Sequence, residues 1–177
     1  GSIDSTYEIA KSAGADILIR HEQNQGQGAA IRHGLERAYL EGADIAVMLD
    51  GDFQHDPSEI PLLVSEIIEN KFDVVIGSRL ANKKIIPVLR LIFNYLLSFF
   101  SRVFFDFKVM DSLTGFRGFN RKAMESMKLT IDRYDWTFEM ADQIAQNGLK
   151  YTETPVSVRY FHKPHHANIF DGFLMIW

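Results

Sequence analysis

The fold is decided by the stretch Ile45-Ala-Val-Met-Leu-Asp-Gly-Asp52, an apolar run that ends in two carboxylates. A continuous apolar run of this kind is typical of a strand that is buried on both faces of a parallel sheet. The pattern then predicts a helix over residues 57–69, which begins with a proline, and a further strand over 72–76. The order of strand, helix and strand indicates a right-handed βαβ unit.

The flanking sequence continues this alternation. Before the central run, the spacing predicts a helix over 5–13, a short strand over 16–20 and a helix over 29–40. After it, the spacing predicts a helix over 133–147 and an extended strand over 150–160. The sequence therefore predicts an α/β fold in which a mostly parallel sheet is flanked by helices.

The composition fits one globular domain over residues 1–177. Hydrophobic residues make up 46% of the chain and charged residues 24%, which excludes a disordered or low-complexity protein. The net charge of −4 argues against broad binding to nucleic-acid phosphates. Because the chain has no cysteine, disulfides, thiol nucleophiles and cysteine-based zinc sites are also excluded.

Asp50 and Asp52 are the first candidates for chemistry. Residues two apart on a strand point to the same side, and open α/β sheets bind ligands beyond the carboxyl ends of their strands. Two hard oxygen ligands suit Mg²⁺ or Mn²⁺, which would in turn bind a diphosphate, and Gln54 and His55 are near enough to add ligands. The alternative is a polar turn that only leads into the next helix at Asp56 and Pro57.

Two further segments combine glycine with polar side chains. The loop over 24–28 precedes a helix and resembles a backbone-amide cradle for phosphate, although a plain loop explains it equally well. The segment Asp111-Ser-Leu-Thr-Gly-Phe-Arg117 ends in an arginine whose planar fork suits phosphate, as does Arg79 at the end of a predicted strand. For both arginines the alternative is an ordinary surface residue.

Acidic and histidine side chains near the C-terminal side give weaker signals. Glu139 and Asp142 lie on a predicted helix, and either is a general-base candidate if the acceptor is a hydroxyl. Solvation of the helix is the alternative explanation for both carboxylates. The pair His165 and His166 has no obvious third ligand for a metal.

Residues 85–107 form an apolar segment rich in phenylalanine, a residue that occurs fourteen times in the chain. Its polar residues Arg90, Asn94, Ser98 and Arg102 recur every four positions, which predicts a helix with one narrow polar stripe. Two arginines within 18 residues disfavour a membrane-spanning helix. The pattern favours a helix in the membrane interface, and the alternatives are a core helix or a contact within a homo-oligomer.

The motifs together resemble family 2 glycosyltransferases of the GT-A fold, most closely the dolichyl-phosphate mannose synthase and polyprenyl-phosphate glycosyltransferase branch. Residues 49–57 resemble the family's D-x-D-x-Q-x-x-P metal segment, and residues 24–34 resemble its N-x-G-x-G-x-A-x-x-x-G loop and helix. Residues 1–6 resemble the end of its Asp-Asp-Gly-Ser-x-Asp-x-Thr motif. Residues 75–79 and 111–117 complete a series that runs in the family's order over nearly the whole chain.

The resemblance implies an inverting transfer of a sugar from a nucleotide-sugar donor to a polyprenyl phosphate. It assigns Asp50, Asp52 and Gln54 to a divalent metal, Mg²⁺ or Mn²⁺, that neutralises the leaving diphosphate. Arg117 and Arg79 would hold the lipid phosphate. Substrate contacts are further expected from Thr114, Gly115 and Lys163, and Glu139 would be catalytic only as a positioning residue unless the acceptor is a hydroxyl.

Two departures from the family pattern are visible. The first strand, with its Pro-x-x-Asn-Glu motif, is absent, so the chain resembles an enzyme truncated at its N-terminus. Residues 160–166 stand where relatives have an arginine-rich loop over the diphosphate, and Lys163 with the histidines is expected to substitute for it.

The expected location is the cytoplasmic face of a membrane. There the chain would be held at the surface, or by segments outside this sequence. Two alternatives are kept open. One is a glycosyltransferase with a saccharide hydroxyl as acceptor, and the other is an inactive fragment that only docks to a membrane or a partner.

Overall fold

The structure is a computed structural model, and it describes residues 1–80, 88–105, 107–133 and 135–159. The order of the described elements follows the prediction from β1 to α4 and differs from it before β1 and after α4. The elements in chain order are α1 (Thr6–Ser12), α2 (Gln27–Leu40), β1 (Ile45–Met48), a 3₁₀ turn (Pro57–Glu59), α3 (Ile60–Ile68), β2 (Val74–Ser78), α4 (Val88–Phe105), β3 (Arg117–Asn120), α5 (Arg121–Ser126), α6 (Trp136–Gln146) and β4 (Tyr151–Pro155).

The described strands form one sheet in the order β1-β3-β2-β4. β3 runs antiparallel to both β1 and β2, and β4 runs parallel to β2. Three of the four strands therefore point the same way, and the fourth lies between two of them in the opposite direction. The predicted α/β class is confirmed, but the sheet is mixed because β3 is inserted at its centre.

The core lies on both faces of this sheet. Alternate residues of β2 face opposite sides, with Val74 and Ile76 packed in one cluster and Val75 in the other. The first cluster gathers apolar side chains of α2, α5 and α6 around Phe119, and the second is built on α3. Helices thus cover both faces of the central strands, which is the layered arrangement that an apolar β1 and β2 require.

β3 is the strand that the sequence analysis missed. Its residues Arg117-Gly-Phe-Asn120 include only one apolar side chain and have low intrinsic strand preference. The segment is extended because β1 and β2 supply hydrogen-bond partners on both of its sides. Neighbouring strands, and not local preference, determine its conformation.

The strand predicted over 16–20 is wrong. Residues 17–20 do not belong to any strand, and Ile17 and Ile19 are exposed. An extended segment becomes a strand only when a neighbour completes its hydrogen-bond ladder, and no strand within the described ranges lies beside this one.

α4 is a helix, as predicted for residues 85–107, and it is described over Val88–Phe105, but its faces differ from the predicted stripe. Ser98 and Ser101 are buried against the protein, whereas Arg102 is exposed, so Ser98 and Arg102 do not share one solvent-facing stripe. Small side chains permit close approach of the segment after the helix, which the phenylalanine rings would prevent. Among the α4 side chains that the structure describes, the exposed large apolar ones are Ile92, Tyr95, Leu96, Phe99, Phe100, Val103 and Phe104.

No helix within the described parts of the chain is both long and apolar enough to traverse a membrane. The side chains of Arg90 and Asn94, and residues 85–87, lie outside what the structure describes.

Asp73, the residue before β2, connects this strand to β3 and to the start of β4 through hydrogen bonds. Its carboxylate accepts hydrogen bonds from the Lys150 backbone at 2.8 Å, the Asn120 amide at 2.8 Å and the Lys122 ammonium at 3.0 Å. Burial alone would raise the pKa of Asp73, but these donors outweigh it, so the pKa lies below its usual value. The folded chain therefore favours the charged form of this carboxylate.

We expect Asp73→Asn to lower the free energy of unfolding at pH 7 by about 2 kcal/mol, because the new amide places a donor where three donors converge. A carboxyl whose pKa is lowered by folding stabilises the fold above its unfolded pKa. That contribution is lost as the pH falls through the lowered value. The difference between variant and wild type in urea unfolding should therefore vanish in acid. Asp44→Asn, which changes an exposed carboxylate, is the control, and an equal effect in both variants would contradict the assignment.

Candidate functional site

Asp50 lies just beyond the end of β1 and is held on both sides. The Gln27 side chain donates a hydrogen bond from its Nε2 to Asp50 Oδ1 at 3.1 Å. The other oxygen lies against the backbone of Gly115, so closely that a Cβ added at residue 115 would overlap it. Gly115 is thus the residue type that leaves room for this carboxylate.

The surroundings of Asp50 disfavour the charged form of its carboxylate. Burial raises the pKa of Asp50, and the nearby Asp52 carboxylate raises it further. His55, the hydrogen bond from Gln27 and Arg79 act in the opposite direction without cancelling the first two effects. A cation beside Asp50 and Asp52 would relieve this repulsion.

The backbone turns sharply between the two predicted ligands Asp52 and Gln54. Asp52 Oδ1 accepts a hydrogen bond from the Gln54 backbone at 3.0 Å, and Phe53 between them has a φ of 62°. A left-handed conformation is uncommon for a residue other than glycine and often marks a functional site. Asp52 is exposed, so its remaining lone pairs are open to a ligand.

His55 lies beneath this turn. It is only 6% exposed, its ring contacts that of Phe116, and its Nδ1 has no hydrogen-bond partner within the described residues. Burial lowers the pKa of His55, and Arg79 lowers it further. No three acidic or imidazole side chains in the described residues come together as a metal site, so this part of the chain offers two carboxylates and an amide.

Arg79 is paired with Asp111. The guanidinium donates to both carboxylate oxygens, at 2.8 and 2.6 Å, and the Arg79 backbone also donates to Oδ2. The loop that contains Asp111 is also held by Glu153 of β4, whose carboxylate oxygens accept hydrogen bonds from the backbone N–H groups of Met110 and Asp111. This network sets the position of the segment that leads to Gly115.

Arg117 is fully buried, with 0% of its surface exposed. Its guanidinium donates to the carbonyls of Ser112 and Thr114 and to the Met140 sulfur, and it lies 4.9 Å from the centre of the Trp136 ring. Burial lowers the pKa of Arg117 to about 10. The prediction that it grips a phosphate stays a prediction, and in the structure the guanidinium ties together the loop around the site.

Glu139 is used by the loop before α6. Its Oε1 accepts from the backbone and hydroxyl of Thr130 at 2.7 and 2.6 Å, and its Oε2 accepts from the Ile131 backbone at 3.0 Å. Asp142, the other general-base candidate, accepts a hydrogen bond from Gln146 one turn along α6. Both carboxylates are therefore engaged within the protein.

The glycine-containing loop at the start of α2 was predicted to be either a phosphate cradle or a plain loop. In the structure it packs against the backbone of residues 131–132. A Cβ at Gly26 or Gly28 would overlap backbone carbonyls of the 131–132 segment, and the Ala29 N–H donates to the Asp132 carbonyl at 3.2 Å. These glycines permit α2 to begin directly against that segment. The contact places Gln27 between Asp50 and Trp136.

The structure brings most predicted site residues to one end of the sheet. Asp50, Arg79, Thr114, Gly115 and Arg117 belong to one contact network, with Asp52 and Gln54 on the adjoining turn. Lys163, His165 and His166 lie outside the described residues.

Sequence reasoning missed three members of this network. They are Gln27, Trp136 and Asp111, and each is joined to partners far away in the chain. Gln27 is 23 residues from Asp50 and 109 from Trp136. Its place between two glycines at a helix start was the one available signal.

The sequence matches the pattern of glycosyl transferase family 2 over residues 1–127. The chain belongs to this family. Its mixed four-stranded sheet flanked by helices is therefore the GT-A-like α/β fold of a family 2 glycosyltransferase.

Two relatives describe the branch. A UDP-N-acetylglucosamine–dolichyl-phosphate N-acetylglucosaminyltransferase of Methanococcus voltae is 32% identical over 200 residues, which cover 100% of this chain and 80% of the relative. A polyprenol monophosphomannose synthase of Mycolicibacterium smegmatis is 26% identical over 168 residues, covering 89% of this chain and 63% of the relative.

A solved structure shares the fold. Glucosyl-3-phosphoglycerate synthase from Mycobacterium tuberculosis, crystallised with Mn²⁺, UDP and glucosyl-3-phosphoglycerate, superposes with a TM-score of 0.71 at 19% identity. The match covers 99% of this family 2 chain and 62% of the crystallised chain. The chain thus spans about three fifths of that protein.

We expect Gly28→Ala to destabilise the fold, because its Cβ meets the Ile131 carbonyl and must push α2 away from the 131–132 segment. A loss of about 2 kcal/mol or more in the free energy of unfolding is the expected scale. The same change at Gly34, further along α2 with open space around it, should add up to about 1 kcal/mol of stability through helix propensity. Equal effects at the two positions in urea unfolding would contradict the close contact.

Proposed function

We propose that this chain transfers a sugar from a nucleotide-sugar donor to a polyprenyl phosphate, with inversion at the anomeric carbon. The observation that carries the proposal is the attachment of α4 to the loop that contacts Asp50. Ser98 of α4 donates to the Met110 carbonyl at 2.9 Å and lies 3.1 Å from the Ser112 hydroxyl. An apolar helix face and a carboxylate site thus share one loop, which suits a substrate that is apolar at one end and anionic at the other.

Asp50, Asp52 and Gln54 are assigned to the donor end. They offer only oxygen ligands, which fit Mg²⁺ or Mn²⁺, and such ions typically use one or two carboxylates together with substrate phosphates. A divalent cation bound by these residues would supply the positive charge that offsets the charge on the leaving nucleoside diphosphate. The relative named for a UDP-sugar and the crystal with Mn²⁺ and UDP support this assignment.

The engagement of Glu139 favours a phosphate acceptor over a saccharide hydroxyl. A hydroxyl needs a general base, whereas a phosphate is already ionised at neutral pH. Both Glu139 oxygens accept hydrogen bonds from Thr130 and Ile131. Glu139 therefore acts as a positioning residue that holds the loop beside α2.

The arginines are assigned to the acceptor end in different ways. Arg79 is assigned a contact with the acceptor phosphate, and its 18% exposed side chain and its orientation by Asp111 support this assignment. Arg117 acts from beneath, since its donors hold Thr114 and therefore Gly115. Lys163 keeps its proposed contact with the donor diphosphate.

α4 is assigned to the membrane surface. Its exposed rings include Phe104, which is 68% exposed and stacks on Phe100 at 5.6 Å. A helix with such a face binds at the boundary between headgroups and acyl chains. The chain would then meet its lipid acceptor as a peripheral protein on the cytoplasmic face of a membrane.

We expect Asp52→Asn to weaken binding of UDP or GDP in the presence of Mn²⁺ at least tenfold, because it removes one formal charge from a two-carboxylate site. Isothermal titration with each nucleotide, with and without Mn²⁺, measures the effect. Asp44→Asn removes an exposed carboxylate at the other end of β1 and is the control. Metal-independent binding, or equal affinity in wild type and Asp52→Asn, would reject the donor site.

A transfer assay identifies the acceptor. The assay follows labelled N-acetylglucosamine or mannose as it leaves the nucleotide-sugar donor. Dolichyl phosphate in detergent is compared with a soluble saccharide. Product on the saccharide alone would favour the hydroxyl acceptor. A chain that binds vesicles but no nucleotide would be the inactive docking fragment.

The double change Phe100→Ser and Phe104→Ser should reduce sedimentation with vesicles of phosphatidylcholine and phosphatidylglycerol severalfold, because it removes two exposed rings from the apolar face. Nucleotide binding and the melting temperature should change little, since neither ring belongs to the core. Leu62→Ser with Ile68→Ser, at exposed positions on α3, is the matched control. Equal loss in both pairs, or no loss, would contradict the role of α4.

A further inference from the structure

Gln27 has a fixed amide orientation. Its Oε1 accepts a hydrogen bond from the Trp136 indole at 3.2 Å, and its Nε2 donates to Asp50 Oδ1 at 3.1 Å. An indole N–H can only donate, so the oxygen of the amide must face Trp136. The amide nitrogen then necessarily faces Asp50 and donates to it.

The contacts continue past Trp136 and return to Asp50. The Trp136 ring lies against the Arg117 guanidinium, which donates to the Thr114 carbonyl at 3.0 Å. The next residue, Gly115, has its backbone against the second oxygen of Asp50. Five contacts therefore form a closed ring that includes the Asp50 carboxylate. Within this ring, Gln27 is the polar residue that joins the end of β1 to α6.

We propose that Gln27 is a positioning residue for Asp50. It holds the carboxylate in one orientation, and through it the negative charge of Asp50 affects the hydrogen bond donated by the Trp136 indole. The inference rests on the proposed function only where it assigns the nucleotide donor to Asp50. With one oxygen bound by Gln27 and the other against Gly115, the carboxylate is ordered before any ligand arrives. Prior ordering of a binding group reduces the entropy lost on binding.

Coupling to Trp136 follows from the polarisation of the shared amide. A hydrogen bond to a charged carboxylate draws electron density toward the amide oxygen, which then accepts more strongly from the indole. Asp50→Asn replaces the charged acceptor with a neutral one of the same size. The change should reach Trp136 through Gln27.

The ligand-free test uses the indole N–H resonances of ¹⁵N-labelled protein. The chain has two tryptophans, so Trp177→Phe identifies the Trp136 signal. Asp50→Asn should shift this signal in the presence of Gln27 and leave it in place in a Gln27→Met background, where the shape is kept and both hydrogen bonds are lost. An equal shift in both backgrounds, or none in either, would overturn the coupling.

The binding test uses UDP with Mn²⁺ as the probe. Gln27→Met should weaken binding about tenfold, the scale for loss of a hydrogen bond to a charged group. Gln23→Met, at an exposed position just before the 24–28 loop, should bind as the wild type does. Trp136→Phe should also weaken binding, and adding it to Gln27→Met should cause no further loss, because both act through one amide.

The outcomes separate this inference from the proposed function. Wild-type affinity in Gln27→Met, or full additivity with Trp136→Phe, would overturn the positioning role. If the wild type binds neither UDP nor GDP, the proposed function fails, and the ligand-free resonances still decide whether Gln27 couples Asp50 to Trp136. Circular dichroism of each variant confirms that the chain is folded.

Discussion

A guanidinium that is buried away from water must find its acceptors inside the protein, and the arrangement of this site depends on how Arg117 does so. Its donors reach back to the carbonyls of Ser112 and Thr114, in the loop that leads into its own strand. The loop is therefore drawn under β3, and Gly115 comes to lie against Asp50. Desolvation opposes the charge, as the lowered pKa of Arg117 shows, whereas Asp111 and Asp50 favour it. The loop next to the core strand β3 and the Asp50 carboxylate thus both depend on the same buried charge.

The charged groups at this site differ in how well the protein compensates them, and the poorly compensated carboxylate lowers the stability of the fold. Arg79 is paired at both ends of its fork with Asp111, which is a satisfied interaction. Asp50 is instead left beside Asp52 in a partly buried position that raises its pKa. Sites that break a local rule without compensation inside the chain are typical of functional sites, where the ligand supplies the missing partner. The compensated pair of Arg79 and Asp111 thus lies close to the pair of like charges, Asp50 and Asp52.

The parts of this structure that follow from local pattern were predictable. The apolar run of β1, the carboxylates after it and the helical conformation of α4 each depend on residues close together in sequence. β3 was not predictable, because Arg117, Gly118 and Asn120 are extended only through pairing with β1 and β2. Gln27 was missed for the same reason, since its partners are brought to it by the fold. The family pattern pointed to the candidate residues, whereas the contacts of each one depend on parts of the chain that are far away in sequence.

α4 shows why polarity alone was an incomplete guide to orientation. The sequence shows polar residues every four positions, yet the buried side of the helix is marked by Ser98 and Ser101, and Ser101 is only 1% exposed. Close packing selects side chains by volume as well as polarity, and a serine whose hydroxyl finds the Met110 carbonyl satisfies both requirements. Once the small side was committed to the protein, the rings of Phe99 and Phe104 had to point outward. A continuous apolar face in water is unfavourable for an isolated domain, and the membrane surface proposed above would cover it.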